Sequence, residues 1–237
     1  KPAVYLDTSV VIEYWSVEGL EFNQDEPVSK HRELPYYETL RELFKSEKHT
    51  HTVIEIRKKI SVGRPKTTPV TSAFALFELA EWHAEAAIRQ MASEVVTAKT
   101  MARKSKKDIG DILRLAIDKR EHEIKEGKKA DYASGLEMVM DETWVSPSFA
   151  IAHGFRGLLI VDVANFNLPA EVSWGPCSAL AYLQVGGADI VHVLFAHHLG
   201  CEYFASFDSD YRRAREILSE DFNLKLLSSP QELLDIF

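Results

Sequence analysis

The sequence predicts an α/β fold, a three-layer α/β/α sandwich built on a five-stranded, mainly parallel sheet with added helical insertions. Short apolar runs rich in branched residues alternate with longer segments of helical periodicity. Parallel strands need long crossover connections, which helices supply, and the resulting sheet is covered on both faces. Because 46% of the 237 residues are hydrophobic, the chain can bury a full core.

Each predicted strand is a short apolar run that ends at polar or turn-forming residues. The first run stops at Asp7, and the third is preceded by Gly157. In chain order, the five predicted strands are Val4–Leu6, Pro69–Ser72, Leu158–Val161, Tyr203–Phe207 and Leu224–Leu227.

The segments between these runs carry apolar residues at three- and four-residue spacing, which is typical of helices packed on a core. The last helix opens at Pro230, a residue favoured in a first helical turn. The other helices are predicted from Val10 to Trp15, Tyr36–Ser46, Ala73–Met91, Glu94–Lys107, twice between Ile109 and Met140, Ser178–Gln184, Ala188–His198 and Tyr211–Ser219.

We expect a single domain over residues 1–237, with insertions at about 16–68 and 91–156. The longest apolar stretches fall well short of the roughly 20 residues that span a bilayer, so no membrane association is expected. Two cysteines, Cys177 and Cys201, are too few for a disulfide framework and suit small buried positions in a reducing compartment. The expected location is therefore the cytoplasm.

Charge is unevenly distributed along the chain. The net charge is −8, yet the segment from Lys99 to Lys129 holds 11 basic against 6 acidic residues. An acidic body does not attract nucleic acid by bulk charge, so any phosphate-binding surface must be local or supplied by bound cations. The basic residues that would hold RNA backbone, unless they are simply solvated, are Arg103, Lys104, Lys106, Lys107, Arg212 and Arg213.

Four acidic residues fall where a parallel sheet would gather them. Asp7 and Asp208 follow the first and fourth strands, Asp189 lies in a first helical turn, and Glu78 lies in the helix after the second strand. Since ligands bind at the carboxyl ends of such strands, the four side chains are expected to be neighbours. Clustered carboxylates repel one another, and a hard divalent ion such as Mg²⁺ or Mn²⁺ relieves this repulsion.

Each acid also has a structural interpretation when it is taken singly. Asp7 would cap a helix, Glu78 would be solvated, Asp189 would be a first-turn acid and Asp208 would form a turn. His192 shares the helix face of Asp189 at three-residue spacing. It would steady Asp189 or a substrate phosphate, or else be a half-buried structural histidine.

The stretches that hold these acids resemble the motifs of PIN domains, a family that includes toxin ribonucleases and larger RNA-processing nucleases. The resemblance covers about half of the chain, and the two insertions depart from the small toxins. The matching stretches are Val4–Ile12, Thr71–Leu79, Ala188–Ala196, Phe204–Tyr211 and the tail Leu224–Phe237.

The resemblance implies a metal-dependent endoribonuclease with Asp7, Glu78, Asp189 and Asp208 as catalytic Mg²⁺ or Mn²⁺ ligands. Asp210 would join or replace Asp208, with polar support from Thr8, Ser9, His192 and Ser206. The implied partners are single-stranded RNA, an antitoxin or other protein, and a second copy of the chain. The alternatives are a catalytically silent RNA-binding or scaffold protein and the toxin of a toxin–antitoxin pair.

Other catalytic classes fit the sequence poorly. A haloacid-dehalogenase-like phosphatase needs an acid two residues after the first, where this chain has Ser9. Neither a Walker sequence nor a dinucleotide fingerprint is present, and Gly186-Gly187 alone is a weak signal.

Overall fold

The structure is a computed structural model that describes residues 1–17, 47–63, 65–79, 81–82, 157–162 and 174–237, with isolated helical positions at 111, 114, 115, 118 and 122. The chain divides into two compact units, one formed by Lys1–Leu76 with Ala150–Phe237 and the other by Phe77–Phe149. The predicted helices at Tyr36–Ser46 and between Glu94 and Met140 lie outside the described residues, apart from the isolated positions.

The first unit contains a five-stranded, wholly parallel sheet, which confirms the predicted fold class. The strands are β1 (Ala3–Leu6), β2 (Thr68–Ser72), β3 (Leu159–Val161), β4 (Tyr203–Ala205) and β5 (Lys225–Leu227). Their spatial order is β3-β2-β1-β4-β5, and every neighbouring pair is parallel. The chain therefore moves from β1 towards one edge of the sheet and returns at β4 to build the other edge.

Helices connect and cover these strands. They are α1 (Thr8–Ser16), α2 (Glu47–Ser61), α3 (residues 73–79), α4 (Trp174–Tyr182), α5 (Gly187–His198), a 3₁₀ helix (Asp210–Ala214), α6 (Arg215–Glu220) and α7 (Pro230–Ile236). Residues 77–79 of α3 belong to the second unit.

Side-chain alternation along the strands sends successive side chains to opposite faces of the sheet, and a first core lies on one of these faces. Tyr5, Phe204 and Leu226 face one side, where they pack with buried residues of α4, α5 and α6. Helices α1 and α2 pack against each other, and α2 packs against α7. Within the first core, Tyr5 stacks on Phe204 with ring centroids 5.9 Å apart, and Phe204 meets the ring of Tyr211 at 4.9 Å.

Several predicted boundaries need correction. The strand predicted as Tyr203–Phe207 ends at Ala205, because the Phe207 amide donates to Ser9 Oγ instead of continuing the ladder. The helix predicted as Ser178–Gln184 begins earlier, at Trp174, and ends at Tyr182 before the left-handed backbone of Gln184.

The helix predicted as Tyr211–Ser219 is split into the 3₁₀ helix and α6. Helix α2 was not predicted. Its buried positions Val53, Ile56 and Ile60 have helical spacing, but Arg57 occupies the remaining position of that face and dilutes the apolar signal.

Both cysteines are buried and free, as expected for small core residues. Burial raises the pKa of the Cys177 thiol and raises the pKa of the Cys201 thiol to about 11. Among the helices in the described part of the chain, none is both long and apolar enough to cross a bilayer.

Candidate functional site at the carboxyl ends of β1 and β4

The site lies where the strand order reverses. β1 and β4 are neighbours in the sheet, and their chain continuations leave towards opposite edges. In open α/β sheets the crevice at such a switch point, beyond the carboxyl ends of the strands, is the usual ligand site. Asp7 follows β1 and Ser206 follows β4, so the fold brings these two predicted site residues to that crevice.

The Asp7 carboxylate is buried and held on one oxygen by two hydroxyl groups. Oδ2 accepts hydrogen bonds from Ser9 Oγ at 3.0 Å and from Ser206 Oγ at 2.8 Å. Asp7 occupies the N-cap position of α1, but its side chain makes no capping hydrogen bond. Its carboxylate therefore points towards the end of β4 and does not serve the backbone of its own helix.

The second oxygen of Asp7 has a different environment. Oδ1 is fully buried and, within the described residues, accepts no hydrogen bond. The His192 Nε2 atom lies 3.7 Å from this oxygen, beyond hydrogen-bond distance. A buried carboxylate oxygen without a partner costs free energy, typically about 1–3 kcal/mol or more. This oxygen is consequently the atom of the site that gains most from a bound cation or a proton donor.

His192 belongs to a series of hydrogen-bonded side chains next to Asp7. Its Nδ1 atom lies 2.8 Å from Tyr5 Oη, and its Nε2 atom lies 2.9 Å from Thr8 Oγ1. Tyr5 Oη in turn lies 2.7 Å from Ser72 Oγ, at the end of β2. His192 is fully buried rather than half-buried, and these contacts hold its ring beside Asp7.

Asp189 is half-buried in the first turn of α5. Its Oδ2 atom accepts the Gly186 amide hydrogen at 3.1 Å, which is one half of a capping box. Glycine has no side chain to complete the reciprocal half. The Tyr211 hydroxyl donates to the Asp189 carbonyl at 3.0 Å and ties the start of α5 to the chain after β4.

Asp208 and Asp210 form the turn that follows β4. Asp208 Oδ1 accepts the Asp210 amide hydrogen at 2.9 Å, and the Asp208 amide donates to Ser206 Oγ at 3.2 Å. Asp208 thus makes the local contact expected of a turn-forming residue. Because Ser206 also holds Asp7, the same hydroxyl connects the first and the fourth predicted acids.

Direct hydrogen bonds or close contacts unite Asp7, Thr8, Ser9, His192 and Ser206. Asp208 connects to this group through Ser206. Within the described residues, no three His, Cys, Asp or Glu side chains lie close enough together to form a metal-binding cluster. Glu78 is half-buried on α3 and belongs to the second unit, so its role as a ligand stays a prediction.

Sequence reasoning missed three residues around the site. Tyr5 was treated only as a strand residue. Glu13 is a single acid in the apolar run of α1 and is almost fully buried, and that isolation within the run was a usable signal. The contact of His49 with Glu13 was missed because the helix that carries His49 was not predicted.

The predicted RNA-binding residues divide between two regions. Arg212 and Arg213 are exposed on the 3₁₀ helix, directly after the turn formed by Asp208 and Asp210. Arg103, Lys104, Lys106 and Lys107 lie outside the described residues.

Comparison of the chain with protein families, with curated proteins and with solved structures finds no match.

Proposed function

We propose that the chain is a Mg²⁺- or Mn²⁺-dependent endoribonuclease of the PIN type, with Asp7 as the central metal ligand. The observation that carries the proposal is the unequal hydrogen bonding of the two oxygens of the Asp7 carboxylate. One oxygen is oriented by two hydroxyls, whereas the other is buried with no hydrogen-bond partner in the described part of the chain. A hard cation satisfies such an oxygen directly.

The donor set at this edge suits a hard ion. Carboxylates and hydroxyls supply oxygen atoms, and the predicted carboxylate ligands beyond Asp7 include Asp208, Asp210 and Asp189. Mg²⁺ commonly binds through one or two carboxylates while its remaining positions hold water and substrate phosphate. The lack of a three-residue cluster among the described side chains is compatible with that mode of binding.

A bound divalent ion would lower the pKa of an attacking water and stabilise the leaving oxygen of a phosphodiester. The side chains around Asp7 would hold this ligand in place. Ser9 and Ser206 donate hydrogen bonds to its carboxylate, and His192, which is hydrogen-bonded to Thr8, lies beside it. The choice of RNA as the substrate depends on the resemblance to PIN domains. Exposed Arg212 and Arg213 next to the turn would contact the phosphate backbone.

The competing function is a catalytically silent scaffold or RNA-binding protein. Its support is that Asp189 and Asp208 both accept local backbone amide hydrogens, as purely structural acids do. Each of these bonds uses one carboxylate oxygen of two. The toxin of a toxin–antitoxin pair is a special case of the nuclease proposal and shares its site.

Cleavage of a single-stranded RNA tests the proposal. Cleavage by the wild type should require Mn²⁺ or Mg²⁺, stop with a chelator and fall by orders of magnitude in Asp7→Asn, which keeps the shape of the side chain but removes its charge. Asp235→Asn is the matched control, because Asp235 is an exposed acid on α7 whose side chain accepts a hydrogen bond from Gln231. Equal cleavage by folded Asp7→Asn and wild type would rule out the assignment.

A further inference from the structure

A second pair of ionisable residues lies beside the site and has no part in the chemistry proposed above. Glu13 is buried on α1, with 5% of its surface exposed, and His49 Nε2 lies 2.7 Å from its Oε2 atom. A carboxylate in such a position requires a strong hydrogen-bond partner, and the histidine ring supplies it. The contact joins α1 to α2 across 36 positions of sequence.

The Glu13–His49 pair contacts the turn after β4 at Phe207. The His49 ring meets the Phe207 ring edge-on, with centroids 5.8 Å apart and an angle of 73° between the planes. On the backbone side, the Phe207 amide donates to Ser9 Oγ at 3.0 Å. Ser9 and Glu13 are four residues apart on α1 and hence share one helix face. Phe207 is therefore held on two sides, by Ser9 and by His49.

Phe207 separates the two residues of this turn that matter most for the site. Ser206 donates to Asp7 Oδ2, and Asp208 is a predicted metal ligand whose amide returns to Ser206 Oγ. Ser206 and Asp208 are joined to Phe207 by peptide bonds, so a shift of the Phe207 backbone that follows loss of its ring contact would move both neighbours. Side chains that hold ligand-bearing segments commonly affect metal affinity by about 10- to 100-fold.

We infer that Glu13 and His49 are positioning residues that act through Phe207 to hold Ser206 and Asp208 in their places beside Asp7. Neither residue has to touch the substrate. The inference rests on the proposed function only where ion binding is concerned, because the ordering of the turn is a property of the metal-free chain.

The chain offers a matched control in a second histidine–phenylalanine pair. The His197 ring meets the Phe222 ring at 5.7 Å and 83°, and His197 Nδ1 lies 2.8 Å from the Phe222 carbonyl oxygen. His197 is in the last turn of α5, whereas Asp189 is in its first turn, so this pair lies at the other end of the helix. Loss of either histidine removes a similar ring contact, but only His49 adjoins the site.

Amide hydrogen exchange of the metal-free full chain is the first test. The amides of Phe207, Asp208 and Asp210 all donate to side-chain oxygens, so they report directly on the order of the turn. In His49→Ala their exchange should become faster, whereas His197→Ala should leave it at the wild-type rate. Unchanged exchange in folded His49→Ala overturns the inference, whatever the protein binds.

Substitutions at Glu13 give an independent check. Glu13→Gln retains a hydrogen-bonding group for His49 and should leave the turn protected, whereas Glu13→Leu removes the bond without placing a charge in the core. Faster exchange in Glu13→Leu but not in Glu13→Gln supports the inference. Equal exchange in the two variants contradicts it.

Mn²⁺ binding by calorimetry is the final measurement. If the wild type binds Mn²⁺, affinity should fall about tenfold or more in His49→Ala and stay unchanged in His197→Ala. Equal affinity in His49→Ala and wild type overturns the positioning role. Absence of Mn²⁺ binding by the wild type contradicts the proposed function and leaves the exchange experiment to decide the positioning role, so the two failures are distinguishable.

Discussion

Ser206 Oγ donates a 2.8 Å hydrogen bond to Asp7 Oδ2, although the two residues are 199 positions apart in the sequence. The sheet register explains the contact, because Leu6 of β1 lies opposite Ala205 of β4 and the next residue of each strand enters the same crevice. Both residues are buried. The carboxylate at the centre of the proposed site is thus oriented by a neighbouring strand as well as by its own helix.

Replacement of Ser206 by alanine should lower the free energy of unfolding by about 1.5–3 kcal/mol, the range for a hydrogen bond to a charged group. Urea unfolding at neutral pH measures the loss. Ser228→Ala is the control, because Ser228 Oγ contacts the Glu232 carboxylate at 3.3 Å and Arg215 Nη2 at 3.1 Å near the surface and should contribute about 0.5 kcal/mol or less. In the Asp7→Asn background the cost of Ser206→Ala should shrink; an unchanged cost would mean that the two side chains are not coupled.

Divalent ions should raise the melting temperature of the wild type, since a ligand that binds only the folded state stabilises it. At 100 times the dissociation constant the gain is about 2.7 kcal/mol, or roughly 5–10 °C for a chain of this size. Asp7→Asn should abolish the shift, and its metal-free form should be as stable as the wild type or more so, because a buried charge is removed.

Scanning calorimetry with and without millimolar Mn²⁺ gives this comparison, and Asp235→Asn should retain the full shift. No shift in the wild type would favour the scaffold function over the nuclease.

Stability should decline at alkaline pH through Cys201. Burial raises the pKa of this thiol to about 11 in the folded chain from 9.0 for an exposed thiol. Below pH 9 both states are protonated and the thiol makes no pH-dependent difference. Between pH 9 and 11 the unfolded state loses its proton first, so stability falls as the pH rises, by up to about 2–3 kcal/mol.

Urea unfolding of wild type and Cys201→Ala from pH 8 to 11 isolates this contribution from those of other alkaline groups. The variant should show the smaller decline, and parallel curves would show that the thiol does not titrate differently in the two states. Cys177, whose pKa is raised in the same direction, is the natural second variant.

Arg212→Glu with Arg213→Glu should weaken RNA binding and reduce the slope of log affinity against log salt by up to about one unit per lost phosphate contact. Both side chains are exposed beside the turn that holds Asp208 and Asp210. Lys225→Glu is the control, because Lys225 begins β5 at the amino end of the sheet and its ammonium lies over the Tyr203 ring.

Fluorescence anisotropy at several salt concentrations measures both quantities. If the arginine pair only solvates the surface, affinity and slope will match those of the wild type. The same experiment applied to Arg103, Lys104, Lys106 and Lys107 tests the predicted basic segment, which the structure does not describe.

The sequence by itself determined the α/β class, the five strand positions and the placement of Asp7, Asp189 and Asp208 at strand or helix ends. These features depend on local signals: apolar runs, helical spacing and residues such as Pro230, which does begin α7 behind the Ser229 cap. Such signals depend on a few neighbouring residues and can be recognised without knowledge of the rest of the fold. They made it possible to predict that Asp7 and Asp208 come after the carboxyl ends of β1 and β4.

Only the tertiary structure decided which polar groups meet. Asp7 at an N-cap position turns its carboxylate to Ser206, and His192 bonds to Tyr5 and Thr8. The partners lie on different strands and helices, so no local pattern encodes their pairing. Each pairing is selected because a buried polar atom must find a partner within hydrogen-bond distance, a condition set by the packed fold as a whole. The same condition explains the contact between Glu13 and His49. His49 lies on α2, a helix that the sequence did not predict because its charged residues obscure the apolar periodicity.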